Sequence, residues 1–181
     1  MRACASSRYS RAPVTPLAKV RQDDITLLQG LGVEGDAHCG AQVKHRSDAR
    51  KDPIRPNLRQ VHLLQSELLD EVNGKGFQVR PGDLGENILT RGINLLSLPA
   101  GTLLHLGGEA IVQVTGLRNP CIQIERFQAG LLDAVREKRQ GAAPIRKMGV
   151  MSVVIRGGEV RAGDAIAVHL PAGERVTLAV V

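Results

Sequence analysis

Apolar and polar residues alternate over short runs along most of this chain, and helical spacing surfaces in only a few places. Ile25 to Leu28 predicts a short strand, preceded by another near Leu17 to Val20. Thr102 to Leu106 and Glu109 to Thr115 flank a Gly107-Gly108 turn and predict a β-hairpin; Val150 to Arg156, Gly157-Gly158 and the residues from Glu159 predict a second, with a last strand at Ala165 to Leu170. Over residues 60–73, Val61, Leu64, Leu68 and Val72 fall on one stripe, widened by Leu63 and Leu69, which predicts a helix stopped by Asn73-Gly74. Leu131, Leu132 and Val135 predict another, ending in Arg136, Lys138, Arg139 and Gly141. Many short strands with glycine turns and two or three helices predict a mainly β (α+β) fold, a β-barrel with helices packed around it. Residues 1–16 have no periodicity and contain Pro13 and Pro16, so they read as a flexible N-terminal arm before a single domain over 17–181.

Composition narrows the partners. With 181 residues and 43% hydrophobic content the chain can bury one good core, and with 2% aromatic residues that core must be Leu, Val, Ile and Ala. The net charge is +6, and residues 1–60 hold 11 Lys or Arg against 6 Asp or Glu. Such a field draws anions. Nucleic acid is not expected, because without aromatic platforms it would be held by phosphate contacts alone, so a phosphate-bearing small molecule ranks ahead of it. Cys4, Cys39 and Cys121 are an odd number with no Cys-x-x-Cys pair, which argues against a disulfide scaffold and for a reducing, cytoplasmic setting. No run of 18 apolar residues appears, so no membrane partner is expected.

Three stretches carry chemistry. Val112, Val114 and Thr115 read as a strand end that Gly116 breaks, after which Asn119 serves as N-cap and Pro120 as the first helical residue. Cys121 then falls in a first helical turn, where free N–H groups and Arg118 favour a thiolate, a nucleophile or soft-metal ligand; a small buried hydrophobe is the alternative for any free cysteine. The segment Gly32 to Gly40 is glycine-rich, with Gly35 letting backbone approach a ligand and Asp36, His38 and Cys39 able to donate or accept. His38, Cys39 and His45 lack the paired spacing of a structural zinc site. A basic connection follows, with Lys44, His45, Arg46, Arg50, Lys51, Arg55 and Arg59, of a length that in compact domains is functional or disordered. At 79–88, Pro81-Gly82-Asp83 predicts a tight turn that sets Glu86 and Asn87 before Ile88-Leu89; the amide suits a heterocycle's edge, or both side chains simply close their own turn. Val-Arg-Pro-Gly-Asp at 79–83 is echoed by Val-Arg-Ala-Gly-Asp at 160–164, which reads as repeated turn chemistry rather than a fixed-period repeat.

Taken in order, Gly35-Asp36-Ala37-His38, Pro81-Gly82-Asp83-Leu84-Gly85-Glu86-Asn87, Arg118-Asn119-Pro120-Cys121 and Val160-Arg161-Ala162-Gly163-Asp164 make the chain resemble the MOSC family, named after the C-terminal part of molybdenum cofactor sulfurases. The resemblance runs from about residue 17 to 171 and is strongest to the stand-alone bacterial type. It implies a barrel like the small β-domain of pyruvate kinase and a Cys121 that ligates molybdenum or carries sulfur. It implies a molybdenum cofactor (molybdopterin) held by Gly35, Asp36, Arg46, Asn87, Arg118 and Asn119, with the phosphate on the basic surface. Thiolate is a suitable soft ligand for such a metal.

The pyridoxal-phosphate domain of the full sulfurases and the extra N-terminal β-domain of the eukaryotic amidoxime reductases have no counterpart here. The resemblance therefore implies a domain that borrows electrons or sulfur: a molybdenum-dependent oxidoreductase reducing N-hydroxylated small molecules, supplied by an iron–sulfur or flavin protein. His38 and Glu86 are the expected proton donors. A sulfur carrier using a Cys121 persulfide, fed by a sulfur donor, is the second reading, and a non-catalytic cofactor-binding module the third. Cys39 matches no role in the family pattern.

Overall fold

The computed structural model describes residues 2–5 by their backbone and residues 18–43, 52 and 54–181 in full, apart from the side chains of Arg139, Ala142 and Ala143. Twelve strands occur among these residues: β1 (Arg2–Ala5), β2 (Asp24–Leu28), β3 (Gly32–Val33), β4 (Val61–Gln65), β5 (Ile88–Arg91), β6 (Leu103–Leu106), β7 (Ala110–Leu117), β8 (Arg136–Arg139), β9 (Ala142–Arg146), β10 (Val150–Arg156), β11 (Gly158–Arg161) and β12 (Ile166–His169). Three helices accompany them, α1 (Ser66–Gly74), α2 (Ile122–Phe127) and α3 (Leu131–Ala134). Seven strands form one curled sheet in the order β1-β5-β4-β10-β7-β6-β12, a half-barrel completed by the small sheet β11-β2-β3, while β8 and β9 make a separate hairpin. All strand pairs are antiparallel except β4 with β5.

The alternation seen in the sequence is the burial pattern of strands with one face on the barrel core. Along β7 buried and half-buried residues alternate without a break, so Ala110, Val112 and Val114 face the barrel core with Leu104 and Leu106 of β6. β4 behaves otherwise. Val61 and Leu63 belong to the barrel core, whereas Leu64 belongs to a second cluster with Leu68, Leu69 and Val72 of α1, Leu84, Ile124 and Met148. A strand buried on both faces has no period-2 signature, and this is why 60–73 reads as one helix when it is strand β4 followed by α1.

Other expectations are corrected. Residues 18–20 form no strand, and Arg2–Ala5 of the supposedly flexible arm pair with β5. β10 and β11 do not form a hairpin: β11 leaves the large sheet and pairs with β2, Val160 opposite Ile25. The basic run after α3 continues as β8, so the helix stops at Ala134 instead of running to Arg139. The β6–β7 hairpin about Gly107-Gly108 and the final strand stand as expected. Among the described residues no helix is long and apolar enough to cross a membrane.

Candidate functional site

Neighbouring strands β5, β4, β10 and β7 bring four segments together. Asn87, just before β5, donates its backbone N–H to the His62 carbonyl at 2.9 Å and accepts the His62 N–H on its Oδ1 at 2.9 Å. That two-point clamp fixes the amide plane and leaves Nδ2 to donate to Asp36 Oδ2 at 2.7 Å. Lys19 Nζ lies 2.6 Å from the same oxygen, and Oδ1 accepts the His38 backbone N–H at 2.8 Å with the His38 ring nitrogen Nδ1 at 3.3 Å. The Lys19 and Asp36 side chains are only 8% and 5% exposed, so this is a buried ion pair with hydrogen bonds on every side. Burial opposes the Asp36 charge, but the His38 hydrogen bond and the Lys19 charge outweigh it and hold the carboxyl well below the usual range. Burial lowers Lys19, with Asp36 and Glu86 in opposition.

Beneath this pair lies Glu86, fully buried, whose Oε1 accepts the Gly82 N–H at 2.5 Å. Burial raises its pKa against the Gly82 hydrogen bond and the charges of Lys19 and Arg118. His62 Nε2 lies 2.7 Å from the Met148 carbonyl, so that nitrogen carries the proton. Burial and the Arg118 charge hold the ring well below its ordinary pKa, keeping it neutral.

Arg118 follows β7, its backbone N–H bonded to the Gly149 carbonyl at 3.1 Å. Its Nη1 is out of water with no hydrogen-bond partner among the described residues. Burial lowers its pKa, Cys121 and Glu86 raise it, and Arg59 lowers it further, so guanidinium, thiol and carboxyl share one electrostatic neighbourhood. Cys121 is half-buried and not in a disulfide. The helix begins later than expected: Asn119 and Pro120 are irregular, Cys121 is itself the N-cap with extended backbone, and α2 has six residues. Pro120 closes off the α region for Asn119 and the chain turns into the helix only after Cys121. The loop is braced by β8 and β9, with Arg136 Nη2 donating to the Pro120 carbonyl at 2.7 Å and Arg146 Nε to Asn119 Oδ1 at 3.2 Å.

The structure thus joins Asp36, His38 and Asn87 directly and sets Arg118 electrostatically beside Glu86 and Cys121. Gly35 takes a positive φ of 73° in the turn before Asp36 and has open space around it. Asn119 faces Arg146 and is exposed. Arg46 and most of the basic connection lie outside the described residues. Its neck is described: Val43 N–H bonds the Arg55 carbonyl, and Asn57 ties the carbonyls of His38 and Gly40. Sequence reasoning missed Lys19 and His62. Lys19 carries no local signal; His62 does, as the one ionisable group inside the apolar run Val61 to Leu64.

Among the described residues no three His, Cys, Asp or Glu side chains converge as a metal-binding group. The groups gathered at the site are the Cys121 thiol, the Arg118 guanidinium and, bonded to one another, Lys19, Asp36 and Asn87. A curled, barrel-like sheet carries a half-buried cysteine on a loop braced by two arginines. The chain belongs to the MOSC domain family, whose model matches residues 37–167. It is similar in fold to the YuaD protein of Bacillus subtilis, with a TM-score of 0.73 and 24% identity over 94% of this chain and 97% of that one. YiiM of Escherichia coli matches with a TM-score of 0.62, 21% identity, and coverage of 97% and 73%. YiiM of Geobacillus stearothermophilus gives 0.61, 17%, and 97% and 76%. No curated protein matches the sequence.

Proposed function

We propose that this domain binds a molybdenum cofactor, with Cys121 as the protein ligand to the metal, and reduces N-hydroxylated small molecules with electrons from a separate iron–sulfur or flavin protein. The observation that carries the reading is Arg118 Nη1, a buried charged donor without a partner among the described residues, beside a half-buried thiol. A buried unpaired guanidinium N–H costs free energy unless an acceptor fills the place, and the pterin of such a cofactor offers phosphate, ring nitrogens and carbonyl oxygens. The residues present fit the group. Arg118 supplies a positive charge with an N–H to spare among the described residues and Cys121 a soft ligand, while Lys19 and Asn87 are committed to Asp36 and fix the floor of the site.

When bound, the cofactor supplies two-electron oxygen-transfer chemistry. The chain's own part is to hold and to move protons. Asp36, kept ionised, orients His38, whose side chain is 51% exposed and stands between buried pair and solvent. His38 therefore delivers a proton from solvent, and Glu86, fully buried on the Gly82 N–H, acts through the turn that carries it.

The test is to purify the protein without air from a host that makes the cofactor and to measure molybdenum in wild type and Cys121→Ala. The reading predicts about one metal per chain in wild type, lost or spectroscopically altered in the variant. No metal in either, with a labile sulfur on Cys121 detected by mass, contradicts it and favours the persulfide carrier.

A further inference from the structure

The hairpin β8–β9 braces the Cys121 loop through two arginines that stand directly opposite each other, Arg136 paired with Arg146 in the register. Like charges in directly opposed cross-strand positions repel, and sheets avoid them unless something lies between. Both described lysines of this hairpin and its end have carboxylate partners: Lys147 reaches Glu71 at 2.9 Å and Glu137 at 3.2 Å, and Lys138 reaches Asp133 at 3.7 Å. Arg136 and Arg146 have no carboxylate partner among the described residues. Each spends one N–H on the loop, Arg136 on the Pro120 carbonyl and Arg146 on the Asn119 amide oxygen. Both are half-buried, and among the described residues each keeps further N–H groups without a hydrogen bond.

Two planar guanidinium forks, held side by side by a strand pair and tied to the residues just before a reactive cysteine, match a tetrahedral or planar oxyanion. Arginines fixed in this way lose little freedom on binding, which favours recognition over general charge attraction. We propose that Arg136 and Arg146 form an oxyanion clamp for the substrate, so that this domain acts on small molecules bearing a phosphate or carboxylate. The proposal rests on the reading of Cys121 as the reactive centre, but binding can be measured without turnover.

Calorimetric titration of the purified, cofactor-loaded protein with adenosine 5′-monophosphate and with adenosine tests it, inorganic phosphate and acetate serving as minimal probes. The clamp predicts that the monophosphate binds at least tenfold more tightly than adenosine and that inorganic phosphate competes. Arg146→Gln, which gives up only the Asn119 side-chain contact, weakens the monophosphate at least tenfold and removes its advantage over adenosine. Arg146→Lys recovers part of it, since charge returns without the fork. Arg136→Gln gives the same loss, and thermal unfolding of each variant shows that it is folded. Equal affinity for adenosine and its monophosphate in wild type, or an unchanged monophosphate affinity in both folded Gln variants, overturns the clamp. Binding seen only in protein stripped of cofactor overturns the substrate assignment and gives the arginines to the cofactor's own phosphate. The molybdenum measurement on Cys121→Ala reports separately on the underlying reading, so the two can fail independently.

Discussion

The same turn is built twice in this molecule and used in two ways. In Val79-Arg80-Pro81-Gly82-Asp83 and Val160-Arg161-Ala162-Gly163-Asp164 the valine is buried, the arginine N–H bonds the aspartate Oδ2 at 2.8 and 2.7 Å, and the aspartate N–H returns to the arginine carbonyl at 3.1 Å in both. Both glycines have φ of 93°. Around Gly163 there is open space; the turn links β11 to β12, its Ala162 N–H bonding the Asp23 carbonyl at 2.7 Å and Asp164 packing against the Gly107 turn. Gly82 is buried: its carbonyl accepts the Lys19 N–H at 3.0 Å, its N–H bonds Glu86, and a Cβ there would run into the Lys19 carbonyl oxygen. Local sequence fixes the shape of a turn, and what packs against it decides its job. The first turn delivers Lys19 to Asp36; the second ties the β2 approach and the Gly107 turn together with no buried charge in it.

The largest effect is expected where the first turn has its product and the second has none. Asp36→Asn leaves Lys19 buried without its counter-ion and is predicted to cost about 3–5 kcal/mol in denaturant unfolding, as broken buried pairs do. Gly82→Ala comes next, at about 3 kcal/mol, because a backbone carbonyl must move as well as φ being strained. Gly163→Ala shares the φ penalty alone, about 1–2 kcal/mol. Equal costs for the two glycines would break the comparison. Asp83→Asn and Asp164→Asn should sharpen it by being alike, each about 1 kcal/mol, since the side-chain bond to the arginine N–H is common to both turns.

The pH dependence separates the site from the rest of the fold. Asp36 is depressed in the folded state, so its contribution is fully present above the ordinary carboxylate pKa of about 4 and is lost as pH falls below it. His62 is depressed too, so the unfolded chain takes up a proton first and stability falls as pH drops below about 6.5. Thermal midpoints measured from pH 8 to 3 should show both losses in wild type and the later one alone in His62→Phe.

Much of the fold is legible in the alternation of β2, β6, β7 and β12, where one face meets the barrel core and the other does not. β4 is illegible because both its faces are buried, and its apolar run merges with α1. Of the residues the MOSC landmarks single out, Asp36 and Asn87 are joined by a hydrogen bond and Arg118 lies in the electrostatic neighbourhood of Glu86 and Cys121, contacts made by segments the fold brings together. Lys19 is invisible in sequence because its partner lies 17 residues away and its placement depends on a turn more than 60 residues on. The setting of Cys121 comes from Arg118 and from the arginines of β8 and β9 rather than from a helix first turn.

The central claim is that a polar cradle centred on Arg118 holds the cofactor while Cys121 holds its metal. Pterin released on denaturation, measured together with molybdenum in wild type, Cys121→Ala and Arg118→Met, tests it most directly. The account predicts that Cys121→Ala keeps most of its pterin while its metal is lost or altered, and that Arg118→Met loses both. Full pterin and metal in folded Arg118→Met, or no pterin in wild type from a cofactor-making host, would contradict it.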